Sequence, residues 1–207
     1  MAGRFITLEG GEGVGKSTQA KRLAAALRAR GVEVVETREP GGSPGAEAIR
    51  RLLLEGDGDR WTPGAEALLF AAARADHVAR TIRPALDAGR WVVCDRFLDS
   101  SRAYQGSASG FGDDVIKNLH SIGSDGFLPD RTLLLAMPGD EAAARESARD
   151  GNGSDRIASR GGAYHRAVAD AFLRFAEAEP ARFRRIDALG PPEAVTERLM
   201  AALDDLL

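Results

Sequence analysis

Residues Gly10 to Ser17 read Gly-Gly-Glu-Gly-Val-Gly-Lys-Ser and satisfy the pattern G-x-x-x-x-G-K-[ST] without a mismatch. Glycines at these spacings let backbone N–H groups turn inward around phosphate oxygens, where side chains would block the approach. Lys16 is placed to carry a cation to the β- and γ-phosphates of a nucleotide, and the Ser17 hydroxyl to ligate magnesium. The candidate nucleotide site is therefore Gly10, Gly11, Glu12, Gly13, Val14, Gly15, Lys16, Ser17 and Thr18. The competing reading is a glycine-rich turn with no ligand. Context favours the site, because an apolar run (Phe5–Leu8) precedes it and a helical pattern follows, and a helix N-terminus adds unpaired N–H donors for an anion.

Two charged clusters follow other apolar runs. Arg38-Glu39-Pro40-Gly41-Gly42 comes after Val32–Thr37, and Asp95-Arg96-Phe97 comes after Trp91–Cys94. Charge after a strand is often no more than a strand end meeting water. In a parallel sheet, however, both clusters fall on the face where the glycine loop holds phosphates, since ligands bind beyond the carboxyl ends of the strands. Arg38 and Arg96 are then candidates for an acceptor phosphate, and Asp95 for organising magnesium. Phe70 and Arg74, four apart on a predicted helix, share one face. A ring beside a guanidinium suits a nucleobase, although the spacing alone fits a core phenylalanine and a surface arginine as well. Ser101, Tyr104 and Gln105 follow the Asp95-Arg96 turn and bring hydroxyl and amide groups to the same region.

The elements that must position these groups are legible as alternating patterns. Apolar or β-branched runs lie at 5–8, 32–37, 91–94, 132–137 and 183–186, with helical patterns at 16–30, from 62 onward, at 161–179 and at 192–207. Gly31 is a stop signal for the first helix, and Thr62-Pro63 reads as an N-cap with proline at the first helical position. Strands alternating with helices imply parallel β-α-β units in a doubly wound sheet. We expect an α/β P-loop fold: a five-stranded parallel sheet, helices on both faces, and one domain over residues 1–207. Residues 147–162 interrupt the pattern with four glycines and with Arg149, Arg156 and Arg160, and read as a short arginine-bearing lid rather than a plain surface loop.

Composition narrows the classes. Lysine and arginine number 28 against 31 aspartate and glutamate, so the net charge of −3 points to no nucleic-acid partner. Cys94 is the sole cysteine, which excludes an intrachain disulfide framework, and its place in an apolar run reads as core. No apolar stretch approaches the ~18 residues of a membrane span, and a cytoplasmic location is expected. A GTPase would need an [NT]-K-x-D motif, which none of the three lysines supplies. A small kinase remains.

Assembled, these residues strongly resemble the bacterial thymidylate kinases. The likeness runs through Ile6-Thr7-Leu8-Glu9-Gly10, Thr37-Arg38-Glu39-Pro40-Gly41-Gly42, Leu69-Phe70-Ala71-Ala72-Ala73-Arg74, Asp95-Arg96-Phe97, Ala103-Tyr104-Gln105-Gly106 and Asp155-Arg156-Ile157. The resemblance implies transfer of the ATP γ-phosphoryl group to dTMP with Mg2+, in dTTP synthesis, by a homodimer. By position it puts base stacking on Phe70, thymine contacts on Arg74 and Ser101, the sugar 3′-hydroxyl on Glu12, the crowding of C2′ on Tyr104, and the acceptor phosphate on Arg38 and Arg96. Catalytic charge is expected from Lys16, Arg96 and the lid arginines Arg149 and Arg156, because the loop itself offers only Glu12, Gly13 and Val14 at the positions where some relatives carry a basic residue. Three departures stand out: Ala136 at a position that is often aspartate, a lid lengthened by residues 150–154, and Ala167 in place of an arginine. A kinase of the same fold with another nucleotide or deoxynucleoside acceptor, and a nucleotide-binding regulator without turnover, are the alternatives.

Overall fold

The computed structural model describes residues 2–56, 60–149, 156–157 and 160–207, with the side chains of 146–149 left aside. Five strands, β1 (Phe5–Glu9), β2 (Val34–Arg38), β3 (Trp91–Asp95), β4 (Arg131–Ala136) and β5 (Phe183–Asp187), pair in parallel in the order β2-β3-β1-β4-β5. The central strands are apolar on both faces, as they must be when helices cover each side. Side chains alternate across the sheet. Ile6, Leu8, Trp91, Val93, Leu133 and Leu135 pack on one face with α1 (Lys16–Ala29) and α9 (Pro192–Ala201). Phe5, Val92 and Cys94 pack on the other with residues of α3 (Pro63–His77) and α6 (Asp113–Ser124). Cys94 is fully buried, as its apolar neighbours predict.

Register explains why the scattered charged clusters meet. Asp95 stands opposite Leu8 of β1 on one side and Arg38 of β2 on the other, so the glycine loop, Arg38 and Asp95 leave the sheet at one edge. The chain also steps from β1 to the outer β2 before returning to β3, the kind of crossover at which an open sheet leaves a crevice.

Local signals act as the residue types require. The stripe Ala20, Leu23, Ala24 and Leu27 is buried, and Gly31 closes α1 at φ 83°. The Thr62 hydroxyl caps α3 by accepting from Ala65 N, with Pro63 in the first turn. Val32, expected in a strand, instead donates its N–H to Leu27 O in the helix-closing turn, so β2 begins at Val34. Helix α9 stops at Ala201, short of the expected 207. Four helices escaped the sequence reading: α2 (Pro44–Leu54), α5 (Leu98–Ser101), which runs into a π-helical segment at Arg102–Ala108, α6, and α7 (Gly139–Arg149). The short α4 (Arg83–Asp87) continues α3 through a π-helical turn, and the last long helix before β5 is α8 (Gly162–Ala178).

Candidate active site

The glycine loop joins β1 to α1 and works only with glycine at its tight points. A Cβ on Gly13 would lie 2.1 Å from Ala142 O of α7, and at φ 73° the backbone sits where side chains are disfavoured. Lys16 is buried, and its ammonium donates to Gly11 O, which keeps the side chain folded over the loop. Burial and the nearby Arg96 lower its pKa to about 8, against the pull of Glu12 and Asp95. Ser17 Oγ donates to Asp95 Oδ2 at 2.5 Å, while the buried Asp95 Oδ1 meets no hydrogen-bond partner. A carboxylate oxygen buried without a donor, beside a serine hydroxyl at the phosphate loop, suits a hard divalent cation. Among the described residues no group of three or more His, Cys, Asp or Glu could hold a metal ion.

A cavity of 260 Å³ opens beside the loop and gathers most of the sequence candidates. Glu12, Lys16, Ser17, Arg38, Phe70 and Arg74 line it, with Asp95, Arg96, Ser101, Tyr104 and Gln105 completing the wall. Arg96 adopts φ 68°, a left-handed conformation that costs a non-glycine residue about 1–3 kcal/mol and is typical of functional positions. That turn aims its guanidinium back at the loop, where it donates to Glu12 Oε1 at 2.7 Å, Ser100 Oγ and Gly10 O. Tyr104 OH donates to the same Glu12 oxygen at 2.7 Å. Burial alone would raise the Glu12 pKa, but Arg96 and Lys16 outweigh it and hold the carboxyl well below the usual range. Glu12 is thus a fixed anion between phosphate loop and cavity.

Across the cavity, Arg74 is 2% exposed and fully engaged, not a surface arginine. It donates to Glu39 at 2.8 Å, to Ser101 Oγ at 2.8 Å and to Phe97 O. Phe70, half-buried on the same face of α3, turns its ring to the cavity. Arg38 is half-exposed and pairs with Glu47 at 3.0 Å, at the cavity rim. The two lid candidates fall differently. Arg149 ends α7, and its side chain lies outside the described residues, as does Asp155. Arg156 is buried and donates to Leu53 O and to Glu66, a carboxylate of α3.

Four further residues belong to the site or its frame and were missed in the sequence. Glu39 orients Arg74 and His77 with both carboxylate oxygens. Glu9, fully buried at the end of β1, accepts from Phe97 N, Ser100 N and Ser100 Oγ, and burial followed by repulsion from Asp99 raises its pKa to about 8. Arg50 of α2 lines the cavity and donates to Pro40 O. Its helix was signalled by Ser43-Pro44, a cap-and-proline pair of the same kind as Thr62-Pro63. Glu66 carried no signal beyond its place four residues before Phe70.

The sequence matches the family model described as thymidylate kinase over residues 8–199. The chain belongs to the thymidylate kinase family. A thymidylate kinase of Rhizorhabdus wittichii is 71% identical over 207 residues, the whole of both chains. One of a Bradyrhizobium species (strain ORS 278) is 50% identical, covering 99% of this chain and 91% of that one. Among solved structures, the thymidylate kinase of Ehrlichia chaffeensis superposes with a TM-score of 0.79 at 30% identity, covering 99% of this chain and all of that one. The five-stranded parallel sheet with its flanking helices is the P-loop fold of thymidylate kinases, as expected from the order of elements.

Proposed function

We propose that this chain transfers the γ-phosphoryl group of ATP to dTMP at the 260 Å³ cavity, giving dTDP and ADP for dTTP synthesis. The observation that carries the reading is the joining, in one cavity, of Lys16 and Ser17 with Phe70, Arg74 and Tyr104. A phosphate loop thereby faces a base-sized slot that ends in a guanidinium. ATP phosphates lie on the loop. The thymine stacks on Phe70 and meets Arg74, Ser101 and Gln105, while the acceptor phosphate meets Arg38 and Arg96. Ser17 and Asp95 would hold Mg2+, which when bound neutralises charge on the phosphate oxygens. The protein then acts by position and charge: Lys16 and Arg96 line the cavity beside the loop, and Arg149, the last residue of α7, is assigned a further cation. Arg156, which the sequence put beside Arg149 as a catalytic candidate, is instead engaged by Glu66 in the buried wall, and we assign it to the frame of the pocket.

One kinase domain over residues 1–207 suffices for this chemistry; of the lid expected at about 147–162, residues 150–155 and 158–159 lie outside the described residues. We further propose a homodimer in the cytoplasm. Leu68 of α3 and Val115 and Ile122 of α6 are exposed apolar side chains, the last two seven residues apart on one helix face, and α6 packs against α3 at Gly123. No helix among the described residues is long and apolar enough to cross a membrane.

The sugar gives a sharp test. Tyr104 lines the cavity beside Glu12, which accepts from its hydroxyl and so restrains the ring that we place against C2′. A 2′-hydroxyl must then be accommodated against a fixed ring. We expect kcat/KM for ribothymidylate to fall at least about tenfold below that for dTMP, and Tyr104→Ala to bring the two within about threefold. Tyr104→Phe loses the tether but keeps the ring packed in the cluster with Ile157 and Phe70, and should keep most of the discrimination. Equal efficiency of the wild type on both substrates would remove the steric argument.

A further inference from the structure

Glu66 is a carboxylate 1% exposed on α3, four residues before Phe70, and it sits outside the cavity. Oε2 receives Arg156 at 2.5 Å and Arg160 at 2.6 Å, and Oε1 receives Gln105 Nε2 at 3.0 Å. These partners come from two other elements, the segment before α8 and the π-helical segment at 102–108. Each of those elements also contributes a wall to the cavity: Ile157 directly after Arg156, and Tyr104 directly before Gln105. Phe70, on the helix that bears Glu66, is the third wall. The grip is reinforced from behind. Arg160 donates to Tyr164 OH at 2.6 Å and stacks on its ring, and Tyr164 OH donates to Tyr104 O at 2.9 Å. Ile157 is 7% exposed and packs in the cluster that holds Tyr104, Phe70 and Leu54.

We infer that Glu66 is a positioning residue for acceptor recognition: through Arg156, Arg160 and Gln105 it fixes Ile157 and Tyr104 against Phe70, closing the nucleoside slot. Arg156, which is buried, and Arg160, which is partly exposed, both donate to one Glu66 oxygen, so neutralising that carboxylate weakens two charge-assisted contacts at once and loosens the hold on Ile157. Arg156, Arg160 and Gln105 all lie outside the phosphate loop, which joins this slot through the Tyr104 hydroxyl at Glu12. The effect therefore falls on the acceptor and spares ATP, which a general loss of stability would not do.

The inference rests on dTMP being the acceptor, and the test separates the two. Steady-state kinetics of Glu66→Gln, well below its unfolding temperature, should show KM for dTMP raised by about tenfold or more, with KM for ATP and kcat within about threefold of wild type. Ile157→Ala should raise KM for dTMP as well, and the double variant should be no worse than the more impaired single one, since both act through the same wall. Arg160→Ala, which removes one arm from a partly exposed position, should give the same selective rise at smaller size and serves if Glu66→Gln does not fold. An unchanged KM for dTMP in the folded variants, an equal rise for ATP, or additive effects with Ile157→Ala would overturn the positioning role. Wild-type protein inactive on dTMP would sink the acceptor assignment and this inference together.

Discussion

Lys16→Ala is expected to fold, to bind dTMP with near wild-type affinity and to turn over at less than about a tenth of the wild-type rate, since one preorganised charge at a transferring phosphoryl group is worth about 10² to 10³ in kcat. Lys16 is 6% exposed and holds its ammonium against Gly11 O, so no reorganisation is needed when phosphates arrive. Arg96 cannot replace it, because that guanidinium is committed to Glu12, Ser100 and Gly10 O. Lys16→Met keeps the buried stem and controls for the space that alanine leaves; both variants should fail alike. Measured kcat above about a tenth of wild type in either would mean that the glycine loop binds phosphate without the part in transfer given to it here.

The second large effect is expected at Arg149. As charge shifts from ATP to acceptor, the transferring group needs a cation near its equatorial oxygens, and such arginines contribute roughly 10³ to 10⁵ in kcat. The loop positions that could carry one are Glu12, Gly13 and Val14, and Glu12 is itself bound by Arg96 and Tyr104. Helix α7 ends at Arg149 and lies against the loop, where Ala142 O closes on Gly13. Arg149→Ala should lower kcat by about two orders of magnitude with the dTMP dissociation constant within about twofold of wild type. Arg156→Ala should differ in kind, raising KM for dTMP by loosening the wall that Glu66 holds. Near wild-type kcat in Arg149→Ala would leave Lys16 and Arg96 as the whole of the catalytic charge.

The sequence exposed those parts of the molecule where local chemistry and position coincide. The glycine loop is legible because its function needs glycine, lysine and serine at fixed spacings after a strand. Arg38 and Asp95 are legible because parallel register brings strand ends to one edge, and the pairing of both with the central strands bears this out. Helices α2 and α6 were harder to read. The α2 segment carries its cap signal in Ser43-Pro44 yet follows directly on the Arg38–Gly42 cluster, and α6 opens from a glycine at φ 85° that provides no side-chain cap. Val32 belongs to a turn because Gly31 lets the chain close on Leu27, a contact that outweighs a β-branched side chain's preference for strand. Glu9, Glu39 and Glu66 were invisible as functional groups for one reason. A carboxylate in a sequence reads as solvent-facing until the structure shows which buried arginines, amides or backbone N–H groups converge on it. Arg74 shows the converse, a residue that spacing alone would leave at the surface and that Glu39 and Ser101 draw inside.

Phosphoryl transfer from ATP, measured with magnesium across a panel of nucleoside monophosphates and deoxynucleosides, decides whether this cavity is a thymidylate site. Of that panel dTMP is expected to have the highest kcat/KM, with dTDP and ADP formed in equal amounts. A higher kcat/KM for any other acceptor, or ATP binding with no transfer to any of them, would contradict that assignment.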